Sequence, residues 1–533
     1  MAVQWAFWRV DITADKRHSL STATCQLLKQ TDDKIEVRLY LSGDLNSGFL
    51  KLKKAAQETL AEMQQYADIK IIEQDVNKFS RQEQDKFAQT LAEHALVPTA
   101  IYERDKQGKT SQTIVYPYAA IRYKNKERWV VLLQNQRGVS GAENLNKSIE
   151  NLEYNFAQTI HSLSITKHRK VAFLEGHGEL SEQYTMDVQQ ALSEWFDVYR
   201  GSITNQADCL NDFAAVIIAD PQLKFSEQDK YVLDQYLMGG GKLMWLINGV
   251  QFSKDVLTQN GYTPAVALDL NVSDMLFRYG IRVNPKLVTS LHCLSVPVDV
   301  SQNPDIPQYE PMPWVYAPLL ESSYNSAVTR NISPVIATFA SDIDFVGEDD
   351  NINRTILLAT ADYSRAIGVP AEVDLTDLSV QADLFTNAYL PVAVSEEGYF
   401  RSLFTHRMAP EGIVNVSKTK TQSANTKQII VAAGNVIRNE LQQGRPLPAG
   451  YDRYSRMQFG NRDFVVNSVL WLTDDEGLIS LRQKEMPLRL LNEKALEKKL
   501  LLYQCISTLL PLILLAVTAG VILLIRKKKY SKT

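Results

Sequence analysis

The residues best suited to chemistry are Glu175-Gly176-His177-Gly178-Glu179, two carboxylates and an imidazole spaced by glycines. They directly follow an apolar run, KVAFL, that reads as a strand. Ligands of open α/β sheets sit at the carboxyl ends of strands, so this turn could hold a metal or a polar ligand. The glycines would let a partner approach closely. The pattern does not match HExxH, and no second His or Cys arrives at ligand spacing. Glu175, His177 and Glu179 are therefore candidates for binding a ligand or a partner, beside the plainer reading of a glycine-fixed turn with His177 bonded locally. No catalytic, cofactor or metal site is assigned.

Two other stretches invite chemistry and fail. Met238-Gly239-Gly240-Gly241-Lys242 resembles a phosphate loop, but GxxxxGK[ST] would need Gly at Tyr236 and Ser or Thr at Leu243. A helix end capped by glycine accounts for it, so the chain carries no ATPase of its own. A nucleophile elbow would stand on the turn after a strand. Asn248-Gly249 follows KLMWLI and Asp220-Pro221 follows FAAVIIA, and neither offers a thiol or hydroxyl.

The elements that must position these residues repeat strand and helix. Lys170 opens KVAFLEG, then a helix at 181–196, FAAVIIADP, a helix at 226–238 and KLMWLIN. Continuous apolar strands alternating with helices imply a doubly wound, mostly parallel sheet covered on both faces. Upstream, a strand at 34–41, a helix at 45–67, a strand at 69–76, a helix at 80–96, a hairpin of TIVYPYAAIRY and RWVVLLQNQ around KNKE, and a helix at 143–163 make a β-α-β-α-β-β-α order. That order is thioredoxin-like, and with no CxxC it leaves a scaffold role. The expected division is a thioredoxin-like domain at 1–165, the doubly wound domain at 166–300, a mixed α/β region at 301–480, a helical stalk at 481–505, a transmembrane helix at 506–525 and a basic tail at 526–533.

That final helix is ISTLLPLILLAVTAGVILLI, free of charge and long enough for the hydrocarbon core of a bilayer. Arg526 and Lys527 to Lys529 follow at once, and a short Lys/Arg-rich flank favours the cytoplasmic side, leaving the bulk of the chain outside the cytoplasm. Ala2–Trp8 is too short for a signal peptide or a spanning helix and reads as the end of a longer helix, so a truncated start is expected.

Composition bounds the rest. With 57 Lys+Arg against 61 Asp+Glu the net charge is -4, which gives no overall field for nucleic acid. The runs Lys51–Lys54 and Lys124–Arg128 read as solvated faces, with docking to a membrane protein as the sharper alternative. Cys25, Cys209, Cys293 and Cys505 are scattered without CxxC or a Cys/His cluster, so neither a zinc site nor any cofactor is expected.

Taken in order, VDITADKRHSLSTATCQLLKQ, LYLSGDLNSGFLKL, VAFLEGHGEL, the stretch 220–248, LFRYGIRVN, TRNISPV and NRDFVVNSVLWLTDDEGLISLRQKE resemble the GldG family over nearly the whole chain. The resemblance implies that the second α/β unit is the domain that GldG shares with an intraflagellar-transport protein, amidotransferase-like without the nucleophile. It further implies an extracytoplasmic subunit of the bacterial inner membrane, facing the periplasm and working with a GldF-like permease and a GldA-like ATPase. Its setting would be the gliding motility and secretion machinery of Bacteroidota. GldG-like proteins usually carry a spanning helix at each end, and the first is missing here. The resulting expectation is a non-catalytic accessory or solute-binding subunit, tethered to the lipid bilayer by the C-terminal helix. The alternatives are a structural coupling subunit that binds no solute, and a degenerate hydrolase using Glu175, His177 and Glu179.

Overall fold

In the N-terminal region, strand β1 (Ile35–Leu39) turns Ile35, Val37 and Leu39 inward by simple alternation. Helix α2 (Ser47–Met63), N-capped by Asn46, buries Phe49, Leu52, Ala56, Leu60 and Met63 at helical spacing against that sheet. Strand β2 (Ile69–Glu73) lies parallel to β1, with Ile35 opposite Ile69. The structure is a computed structural model that describes residues 19–530 apart from 95, 105–109, 135–139, 166–167, 300, 302–307, 324–325, 375–380, 417, 476 and 484–492. Ala2–Trp8 and the first residues of the Val10 segment lie outside the described residues.

The β-α-β-α-β-β-α order is present here, with α3 (Arg81–Glu93) and additions that the sequence reading missed. A helix α1 (Thr22–Lys29) precedes it, capped by Ser21 and tied to Glu153, which accepts from the Ser21 N–H at 2.7 Å and the Thr24 hydroxyl at 2.9 Å. The apolar run TIVYPYAAIRY, read as one strand, is two. Pro117 has no N–H and restricts Tyr116, so the ladder breaks there. Before it, β4 (Thr110–Val115) pairs with β3 (Thr99–Arg104) in a separate hairpin. After it, β5 (Tyr118–Tyr123) joins β1 and β6 (Lys126–Val131), giving the order β2-β1-β5-β6. The expected helix at 143–163 breaks at Asn151 into α4 (Gly141–Glu150) and α5 (Leu152–Ser164). The Asn151 amide donates to Gln134 Oε1 at 2.9 Å, a local alternative to continuing the helix.

The second region is built on β7 (Arg169–Glu175), α6 (Glu182–Ser193), β8 (Phe196–Ser202), β9 (Phe213–Ala219), α7 (Glu227–Met238) and β10 (Leu243–Leu246). The strands run parallel in the order β8-β7-β9-β10. Alternate residues feed two cores. Val171, Phe173, Ile217 and Met244 pack with α6 and the helix Asn461–Thr473, while Ala172, Val216, Ile218 and Trp245 pack with α7. Both faces are thus covered, which is why the strands read as continuous apolar runs.

The sheet does not stop near residue 300. Thr426–Val431 lies parallel beside β10, and Pro391–Gly398, Ile352–Ala359, Tyr309–Ser322 and Cys293–Asp299 continue it antiparallel. Residues 301–480 are largely β structure until Asn461–Thr473, and they complete the sheet begun at Arg169.

The chain divides into a body ending at Lys484 and a second unit beginning at Glu485. The second unit holds the helix Glu493–Tyr530, with Leu509, Leu512, Leu515 and Leu523 all exposed. Among the described residues no helix is long and apolar enough to cross a membrane. The side chains described in the apolar run are those of 508–524, which rise roughly 25 Å against a hydrocarbon core of about 30 Å. The spanning helix expected at 506–525 is therefore not supported at full length; side chains 506, 507 and 525 lie outside the described residues.

Candidate functional site

The turn after β7 requires its glycines. Gly176 and Gly178 hold φ of +119° and +76°, and a Cβ on Gly178 would press on Gln222 at 3.2 Å. The His177 carbonyl between them accepts from the Gln222 and Leu223 N–H groups, each at 2.8 Å, which ties the β7 turn to the β9 turn.

The structure separates Glu175 from His177 and Glu179, which stay together. Glu175 turns to Arg200 on β8, accepting from Nε at 2.7 Å. Glu179 accepts from the His177 backbone N–H at 2.7 Å and faces its Nδ1 at 3.1 Å. The third partner, Asp229, meets His177 Nε2 at 3.2 Å. It also closes the capping box with Ser226 that starts α7. The His177 ring stacks on Phe225 with centroids 3.8 Å apart. Neither Asp229 nor Phe225 figured in the sequence reading. The signal was the SEQD capping box, which sets an acidic side chain at a helix N-terminus on the strand-end side of the sheet.

Burial opposes a charge on His177, but the hydrogen bonds it donates to Asp229 and Glu179 outweigh it and hold the imidazole at about 9. At neutral pH it is a cation with both nitrogens committed, unable to accept a proton as a general base. Because the folded value lies above the unfolded one, about 6.5, this stabilisation is complete below pH 6.5 and lost as pH rises through 9. After a discount for solvent screening, unfolding free energy is expected to drop by about 1–2 kcal/mol across that window. His177→Gln should flatten the slope in urea titrations; an unchanged slope would refute the assignment.

Gly239–Gly241 end α7 as the sequence implies. Gly239 N–H bonds to the Gln235 carbonyl at 2.9 Å, Gly240 holds φ +94°, and Lys242 pairs with Asp475 at 3.1 Å. The turns after β9 and β10, which begin without a thiol or hydroxyl, line a cleft instead. Its walls come from Gly178, Asp220, Asn248, Phe339, Asn435 and Arg438 among others, around about 710 Å³ of empty space open to solvent. Asp220, at φ +57°, accepts at Oδ1 from Asn248 at 2.6 Å and Gln222 at 2.9 Å, and Asn248 accepts from the Gly434 N–H at 2.8 Å. A Cβ on Gly434 would stand 2.3 Å from that Asp220 oxygen, so only glycine fits. Among the described residues no group of three His, Cys, Asp or Glu could hold a metal ion.

The body is thus a mixed α/β sheet, parallel at β8-β7-β9-β10, with a cleft at the ends of its parallel strands. Residues 168–468 match the family described as an ABC-type uncharacterized transport system, and residues 14–122 match a domain of unknown function, DUF7088. The first match covers more than half of the chain, which belongs to that family of ABC transport auxiliary proteins. No curated protein matches it. Among solved structures, the mmIFT52 N-terminal domain is similar at 14% identity, covering 57% of this chain and 98% of that one with a TM-score of 0.34, a level from which nothing further follows.

Proposed function

We propose that this auxiliary protein is a non-catalytic solute-recognition or coupling subunit of an ABC complex of the GldA/GldF kind. It would be anchored by its C-terminal helix in a bacterial inner membrane with its body in the periplasm. The observation that carries the non-catalytic reading is His177. Its imidazole is held between Glu179 and Asp229 as a cation and is not available as a general base at neutral pH. The turns after β7, β9, β10 and Thr426–Val431 begin with Gly176, Asp220, Ile247 and Ala432, which offer no thiol or hydroxyl for acyl transfer. The continuous helix Glu493–Tyr530, with leucines exposed along its apolar stretch and Arg526 after it, supports the anchor.

The test is extraction of the full chain from native membranes in mild detergent, followed by mass spectrometry of the proteins that come with it. An ABC permease and ATPase are the expected companions. Recovery of motility or secretion components without them would favour a purely structural role, and a chain found wholly in the soluble fraction would remove the anchor.

A further inference from the structure

The cleft beside His177 sits where the chain reverses across the sheet. From β7 the chain passes through α6 to β8 on one side, then returns to β9 on the other, so α6 and α7 cover opposite faces. Such a switch point leaves a crevice at the strand ends, the common ligand position of open α/β sheets. Here it is lined from β9, β10 and the turn Gly434–Ile437 together.

That turn is a single 3₁₀ turn, in which residues three apart fall on one side. Asn435 and Arg438 are so spaced, and both line the cleft. The Asn435 amide nitrogen donates to the Thr338 carbonyl at 2.7 Å, while its Oδ1 is buried and, among the described residues, has no donor. An orphaned buried acceptor is costly unless something outside the chain donates to it. Arg438 is stacked on Tyr184 with its guanidinium 4.3 Å from the ring centroid, and among the described residues no carboxylate lies within ion-pair distance of it. Stacking fixes the plane of the guanidinium and leaves its fork of donors for an incoming carboxylate. The carboxylate of Asp220, held still by Asn248 and Gln222, supplies the opposite charge in the same space. Phe339 and Phe252, with centroids 4.0 Å apart, form an apolar wall.

We infer that this cleft binds a small zwitterionic amino-carboxylate, its carboxylate on Arg438, its ammonium toward Asn435 and Asp220, and its side chain along the phenylalanines. A simple anion would face Asp220 without a compensating donor, and a neutral polyol would leave Arg438 without a counter-charge. The inference does not depend on the membrane or transporter assignment. Companions recovered in detergent test that assignment, and ligand binding to the isolated chain tests this one.

The experiment is calorimetric titration of the full-length, detergent-solubilised protein with glycine, L-leucine and L-phenylalanine, with sodium acetate, butylamine and glucose as single-feature controls. At least one amino acid should bind saturably while the controls do not. Arg438→Gln should weaken that binding at least about 10-fold, the scale of a lost charge-assisted pair. Asn435→Ala should weaken it too, each with the thermal midpoint within a few degrees of the parent. The inference is overturned if no amino acid binds below about 10 mM, if acetate or glucose binds as tightly, or if both variants bind like the parent. A folding defect in one variant leaves the other to decide.

Discussion

Asp234→Ala is expected to lower the unfolding free energy by about 3–5 kcal/mol, the range for removing one member of a buried charged network. Asp234 lies in the middle of α7 with no exposure. Its two oxygens accept from four donors: the Tyr279 hydroxyl at 2.9 Å, the Leu403 N–H at 2.8 Å, the Ser402 hydroxyl at 2.7 Å and the Gln235 amide at 2.9 Å. Burial pushes its carboxyl above the usual range despite those four bonds. Alanine would strand the Tyr279 hydroxyl and the Leu403 N–H inside the core. The loss should also loosen the segment around 400–420 that covers α7, where the Tyr231 hydroxyl meets Thr419 at 2.9 Å and the Lys420 N–H donates to Gln235 at 2.8 Å. Faster proteolysis between Ser402 and Lys420, together with a lower denaturation midpoint, is the expected outcome. A variant within about 1 kcal/mol of the parent would show that the network contributes little.

A second large effect is expected at Glu396, fully buried in the strand Pro391–Gly398. Burial pushes its carboxyl up to about 7, although Gln428 at 2.8 Å and Arg354 at 3.0 Å pull the other way. The folded state therefore holds a proton that the unfolded chain releases near 4.5, and stability must fall as pH rises between those values. The shift corresponds to about 3 kcal/mol lost between pH 4.5 and 7. Glu396→Gln removes that titration. Its amide can keep the Arg354 contact through its oxygen and donate to Gln428 Oε1, a buried acceptor with no donor among the described residues of the parent, once the Gln428 amide turns over. Urea titrations from pH 4 to 8 should show the parent weakening more steeply than the variant, in which Asp234 and His177 still titrate. Parallel curves for the two proteins would rule out Glu396 as the titrating group.

These networks were hidden in the sequence because their members are distant. Asp234 and Ser402 are 168 positions apart, and Asp229 is 52 from His177. The turn of Glu175, His177 and Glu179 was visible as a cluster, but adjacency in the chain did not predict direction. Successive residues leaving a strand diverge, so Glu175 went to Arg200 while His177 and Glu179 stayed together. The cleft was legible only in part. Asp220 and Asn248 stood out as strand-end residues without a thiol or hydroxyl, whereas Asn435 and Arg438 reach it from the turn after Thr426–Val431, a strand far beyond β10 in the chain.

What the sequence determined by itself is what depends on local periodicity and steric rules. Continuous apolar runs between amphipathic helices dictated parallel strands buried on two faces, and alternation set the inward residues of β1. Glycines at positive φ dictated the turn around His177 and the end of α7, because other residues strain there. Tertiary structure alone decided where a single break or a distant partner outweighs local preference. Pro117 divided one apolar run between two sheets, and Asn151 divided one helix in two. The parallel docking of Thr426–Val431 against β10 built one wall of the cleft. Only there, where charges and amides from separate strand ends are brought into one cleft, do Arg438, Asn435 and Asp220 acquire a shared chemistry that no stretch of chain encodes.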